Sequence, residues 1–292
     1  MRAAIIELMI DPTVLSSTAK LGHTDALVAA LRHQPKRRES IVKAALKQAV
    51  DGGAAWIVFP GWTVVGKSAP AWMVAGSKGR TIAFECLSPA VCGPASRASK
   101  TVSKNTVNDR DVAEFSRPWR TFVARDGAVV VDAVQRLATA RRRAVHGRRL
   151  IADLQAGDRY FDGGVLWICG EIEILEGGGR SNVRNGTGLP EGALRRTVVL
   201  NPAHTKEGPQ PSRDKREWLS KGGWLFKSAN TFTGGWSYWV DGGAEAGYED
   251  VAWASHVAAA AWRNGAPVSG QRCSYAPVGS AGEGRILWVE MR

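Results

Sequence analysis

The segment of this chain best suited to chemistry is Gly163-Gly164-Val165-Leu166-Trp167-Ile168-Cys169-Gly170-Glu171-Ile172-Glu173, an apolar run that ends at a thiol and is followed at once by glycine. A cysteine on a tight strand-to-helix turn holds its sulfur toward a pocket, and nearby backbone amides favour the thiolate. The same segment also suits a small buried side chain closing a strand. A thiol near pKa ~8.5 attacks efficiently at neutral pH only beside a base or a cation. Two residues qualify as that partner. Glu85 ends the run Thr81-Ile82-Ala83-Phe84, and His204 follows Pro202 in a loop. Each also has an ordinary structural role, Glu85 as a strand-end carboxylate and His204 as a loop anchor. His23, His33, His146 and His256 show no HExxH spacing, and Cys86 with Cys92 forms only a C-x₅-C pair, so neither a metal nor a cofactor is expected.

The elements around these residues read as α/β. Ile41, Val42, Ala45, Leu46 and Ala49 fall on one helical face, Gly52-Gly53 stop that helix, and Ala55 to Phe59 form a short continuous β-run before Pro60. With the opening strand Ala3 to Ile10 this makes a βαβ unit covered on both faces. Asp126-Gly127 predicts a hairpin between Trp119–Ala124 and Ala128–Val134. Further strands are expected at Gly164–Cys169, Arg196–Leu200, Trp224–Ala229, Trp236–Val240 and Arg285–Glu290. Helices are expected at Asp214–Lys221 and, in an Ala-rich run, at Asp250–Trp262. Residues 67–118 give little pattern. No fixed repeat or long linker interrupts the chain, which predicts one domain over 1–292.

With 292 residues, 44% hydrophobic and 23% charged, the chain has the composition of a globular protein with a sizeable core. No apolar run reaches the length of a membrane span, the first residues lack the zones of a signal peptide, and four scattered cysteines do not make a disulfide framework. A cytoplasmic protein with no membrane contact is the default expectation. The net charge of +12 raises the question of nucleic acid, and Arg141-Arg142-Arg143 and Arg148-Arg149 are its densest points. The dispersion of the charge and the lack of any nucleic-acid motif argue instead for a solvated basic surface.

Several segments, in order, resemble the nitrilase or carbon–nitrogen hydrolase family. Val165 to Glu171 is similar to the family's nucleophile segment and Val199-Leu200-Asn201-Pro202-Ala203-His204 to its Asn-Pro-Ser/Ala-His loop. Lys227-Ser228-Ala229-Asn230 and Gly234 to Asp241 resemble the strand and hairpin beyond it, and Ile57 to Gly66 resembles V-F-P-E-x-x-x-x-G. The resemblance runs from about residue 2 to 290. It implies a four-layer α-β-β-α sandwich of two mixed sheets, a homo-oligomer, and a thioester formed on Cys169 by a small-molecule amide or nitrile. It also places Glu171, Asn201 and Trp62 at the substrate pocket. Two departures stand out: Gly61 occupies the position of the family's general-base Glu, and Gln135 that of its Lys, with Arg136 directed to the opposite face of the strand.

Two hypotheses follow. In one, the chain hydrolyses an amide, nitrile or carbamoyl group through Cys169 with a nonstandard base, Glu85 or His204. In the other, it is a catalytically inactive relative that keeps the fold for binding. Nucleic-acid association through the Arg-rich stretch is a third and weaker reading.

Overall fold

The computed structural model describes residues 1–10, 31, 34–88, 119–136, 143–177, 182–204, 210–232, 236–239, 245–248, 259–279 and 283–291. The chain opens with β1 (Arg2–Ile10), α1 (Pro35–Asp51), β2 (Trp56–Val58), β3 (Val64–Val65), α2 (Ala71–Ala75) and β4 (Thr81–Leu87). It continues with β5 (Trp119–Arg125), β6 (Ala128–Ala133), α3 (Arg143–Ala156), β7 (Tyr160–Phe161) and β8 (Gly164–Leu166), and then a 3₁₀ turn at Cys169–Ile174. Next come α4 (Glu191–Leu194), β9 (Val198–Pro202), α5 (Gln210–Leu219), β10 (Trp224–Ser228) and β11 (Asn230–Phe232). The described elements close with β12 (Trp236–Trp239), β13 (Glu245–Tyr248), β14 (Ala260–Arg263), β15 (Ala266–Pro267), β16 (Cys273–Val278) and β17 (Gly284–Glu290).

Two mixed sheets carry the fold. One runs β16-β17-β1-β2-β4-β5-β6, with β11 on β1 and β3 on β4; the other runs β15-β14-β10-β9-β8-β7. β1, β2 and β4 are parallel, as are β8, β9 and β10, while hairpin partners add antiparallel edges. Three apolar layers separate four layers of structure. Val42, Ala45, Leu46 and Ala49 of α1 pack on Ala4, Ile6, Ile57 and Phe84. Ala3, Ile5, Val58 and Ala83 meet Leu166, Leu200 and Phe226 between the sheets. Leu150, Leu154, Trp218 and Leu219 cover Val165, Trp167, Val199 and Leu225 on the far side. Alternate residues of each strand serve alternate layers, the period-two geometry of strands buried on both faces. The result is the expected α-β-β-α sandwich.

The helix and hairpin expectations in the first half hold. At Asp126 and Gly127 φ is 51° and 82°, the left-handed pair that a two-residue hairpin turn needs. The Ala-rich helix expected at Asp250–Trp262 is corrected in part. Residues 250–258 lie outside the described residues, but Ala260–Arg263 is a strand paired antiparallel with β10. Alanine's helix propensity gives way there to burial on both faces, with Ala261 between the sheets and Trp262 in the outer layer.

Because Phe226 is fully buried in the inter-sheet layer, Phe226→Ala should cost about 3–5 kcal/mol in urea denaturation. Val130→Ala, at a side chain 44% exposed, should stay within about 0.5 kcal/mol.

Candidate active site

The carboxyl ends of parallel strands gather the candidate residues, where open α/β sheets place their ligands. β8 leads through Trp167 and Ile168 to Cys169, β9 leads to His204, and β2 leads to Gly61 and Trp62. Glu85 lies on β4 with the same parity as Ala83, whose side chain enters the inter-sheet layer.

Cys169, His204 and Glu85 form one hydrogen-bonded line. His204 Nε2 lies 2.7 Å from Glu85 Oε1, and the same imidazole hydrogen-bonds the half-buried Cys169 side chain. Glu85 is itself fully buried and held at both oxygens: Oε1 accepts the Trp62 backbone N–H at 2.7 Å, and Oε2 accepts the Thr121 hydroxyl at 2.9 Å. Burial alone would lower the pKa of His204. The Glu85 carboxylate, the Cys169 thiolate and their hydrogen bonds outweigh burial and push it up to about 9. At neutral pH the ring is therefore an imidazolium, set between the Glu85 carboxyl group and the Cys169 sulfur. The other described cysteines contrast with this. Cys86 is pushed up to about 12 by burial and by the nearby carboxylates of Glu85 and Asp132, and burial also raises Cys273.

Gly61 explains how a histidine comes to sit there. A Cβ built on Gly61 would lie 2.4 Å from His204 Cδ2 and 2.9 Å from Nε2. The imidazole thus fills the space that any side chain at position 61 would enter, and this ring position requires glycine there.

Backbone strain picks out the same place. Among the described non-glycine residues with positive φ, Asp126 and Asn264 each precede a glycine in a tight turn, leaving Trp62 (54°) and Cys169 (47°). A bulky residue in the left-handed region costs of order 1–3 kcal/mol and persists only where its surroundings over-determine it. Both residues touch His204. Trp62 stacks on the ring with centroids 4.4 Å apart and planes at 28°, and Trp119 meets it edge-on at 5.0 Å.

Glu171 and Asn201, expected at the substrate, are fully buried beneath the turn instead. Glu171 accepts the backbone N–H groups of Ile168 at 2.8 Å and Arg136 at 2.7 Å, and pairs with the fully buried Arg159. Asn201 donates to the carbonyls of Trp167 at 2.9 Å and Cys169 at 3.2 Å and accepts from Arg216. These groups hold the strained turn; their polar atoms are already engaged by protein. The Arg136 side chain forks onto Asp153, away from the imidazole, while Gln135 is buried with its Oε1 3.4 Å from Trp119 Nε1.

Two supports escaped the reading of the sequence. Arg38, in a Lys-Arg-Arg run that reads as a solvated helix start, is buried and donates to the carbonyls of Met9, Trp62 and Thr63 and to Asn230. Asn230 in turn donates to the carbonyls of Gly61 at 2.7 Å and His204 at 2.9 Å. Asn230 could have been found from its Ala-Asn motif. Nothing in the pattern around Arg38 marks it.

No family model and no curated protein matches the chain. Among solved structures it is similar to a glutamine-dependent NAD+ synthetase from Acinetobacter baumannii in complex with ADP, with 13% identity and a TM-score of 0.43, over 92% of this chain and 42% of that one. A glutamine-dependent NAD+ synthetase from Cytophaga hutchinsonii shows 9% identity and a TM-score of 0.40, over 92% of this chain and 40% of that one. The chain thus spans about two fifths of the length of these structures. What the site can do rests on its own residues.

The steric argument at Gly61 gives a direct expectation. Gly61→Ala should displace the His204 ring and slow iodoacetamide labelling of Cys169 at pH 7 by about tenfold, the response of a thiol that loses its cationic neighbour. Gly192→Ala, where a Cβ meets nothing within 4 Å, should leave the rate unchanged.

Proposed function

We propose that this chain is a cysteine-dependent hydrolase of small, non-peptide amides, nitriles or carbamoyl compounds, a nitrilase-like enzyme in which Cys169, His204 and Glu85 stand in for the usual Cys, Glu and Lys. The observation that carries this reading is the imidazole placed between the thiol and a buried carboxylate. That is the arrangement of nucleophile, base and orienting group on which acyl transfer depends.

For an amide, the Cys169 thiolate adds to the carbonyl carbon. The His204 imidazolium then gives its proton to the departing nitrogen as the C–N bond breaks, leaving a thioester and an amine. Water adds to the thioester carbonyl, and the now neutral imidazole takes its proton. Collapse releases the carboxylic acid and restores the thiolate–imidazolium pair. Glu85 orients the ring throughout, held in place by Trp62 N–H and Thr121. The inactive-relative reading draws on Gly61 and Gln135, but the His204 line offers a replacement base at the vacated position.

Mass spectrometry after incubation with a panel of small amides and nitriles should show an acyl adduct on Cys169, absent in Cys169→Ala. Turnover should fall by about 10²–10⁴ in His204→Ala. Since the imidazolium supplies the leaving-group proton, amide turnover should decline as pH rises through about 9. An unlabelled Cys169 and no turnover across the panel would instead favour the inactive relative.

A further inference from the structure

The buried aromatic faces around His204 have a role that the triad does not explain. Trp62 is 2% exposed and Trp119 is 2% exposed, and the two rings meet edge-on with centroids 5.9 Å apart while both contact the imidazole. They close the ring on two sides. Tryptophan is the best aromatic partner for a cation, and the attraction is strongest where the pair is desolvated.

Resting on the assignment of His204 as the acid–base residue, we propose that Trp62 and Trp119 are positioning residues, an aromatic box that keeps His204 as a non-rotating imidazolium and thereby keeps Cys169 a thiolate at neutral pH. Three observations converge on it. Trp62 is stacked nearly parallel to the imidazole, the geometry in which a ring face meets the whole cation. Its left-handed backbone is clamped rather than relaxed: its N–H bonds the same Glu85 oxygen that faces His204 Nε2, and its carbonyl accepts from buried Arg38. Trp119 is tethered in turn by Gln135. Strain at Trp62 is thus sustained by contacts whose common product is the face it presents to His204.

The charged groups around the ring leave this contribution separable. Glu85 on β4 and Cys169 on the nucleophile turn are the titratable groups that face the imidazole. Among the described residues, the loop at Gly61 and Trp62, β5 with Trp119 and β11 with Asn230 bring no ionisable group against it. The Arg38 cation lies behind that loop, bonded to backbone carbonyls and Asn230. The box adds an uncharged stabilisation from the two rings packed on the imidazole, beside the hydrogen bonds that Glu85 and Cys169 make to it.

The test drains the ring faces without changing their shape. Tryptophan at position 62 is replaced site-specifically by mono-, di- and trifluorotryptophan, and iodoacetamide alkylation of Cys169 is followed from pH 5 to 10 by peptide mass spectrometry. The unmodified protein should alkylate Cys169 well below the pH of an ordinary thiol. Each added fluorine should lower the rate at pH 6, by about tenfold in all, and move the inflection toward about 8.5. The same series at Trp288, distant from the ring, should change nothing. A flat response at position 62 would overturn the box while leaving the triad intact. If His204→Ala also alkylated like the unmodified protein, the triad reading itself would fall.

Discussion

One imidazole organises this site, and it is there because position 61 has no side chain. His204 is caught between the Glu85 carboxylate and the Cys169 sulfur, in space that a Cβ at position 61 would penetrate to within 2.4 Å. Everything near it serves to hold that ring still. Thr121 and the Trp62 N–H fix the carboxylate, Arg38 and Asn230 fix the loop that carries Gly61 and Trp62, and Asn230 also holds the His204 carbonyl. A catalytic constellation tolerates errors of only about 0.5 Å, so support of this density is what such a ring requires.

The second anchor is the nucleophile turn. Cys169 takes a left-handed φ that an L-residue resists, and the turn is held from beneath by Glu171 and Asn201. The Glu171–Arg159 pair is fully buried at both ends. Desolvation makes such a pair weak evidence for stability, and breaking it from one side costs about 3–5 kcal/mol. Its value is positional: it joins the turn to α3 through Asp153, which also takes Arg136. The Arg136 cation is thereby committed to structure.

Much of this was legible in the sequence. Strand periodicity, the Asp126-Gly127 turn and the amphipathic helix before Gly52 gave the α/β elements, because local preference and burial agree at those places, while their stacking as a sandwich was implied by the family resemblance. Cys169, Glu85 and His204 could each be named as candidates from residue type and position after a strand. Their union could not be read, because it depends on which way three side chains from three strands point across two sheets. The same limit hid the buried hydrogen bonds of Arg38 and the engagement of Glu171 and Asn201 with the backbone of the turn. The Ala-rich stretch before Trp262 misled for a different reason, since alanine is as easily buried in a strand as wound into a helix.

The account stands or falls on the charge of His204. Heteronuclear NMR of ¹⁵N-histidine-labelled protein follows that ring through its own titration, without any substrate. The account predicts an imidazolium that persists through neutral pH and ionises near 9, with the midpoint moving down in Glu85→Gln. A neutral His204 at pH 7, titrating near the ordinary value of about 6.5 and indifferent to Glu85, would contradict it.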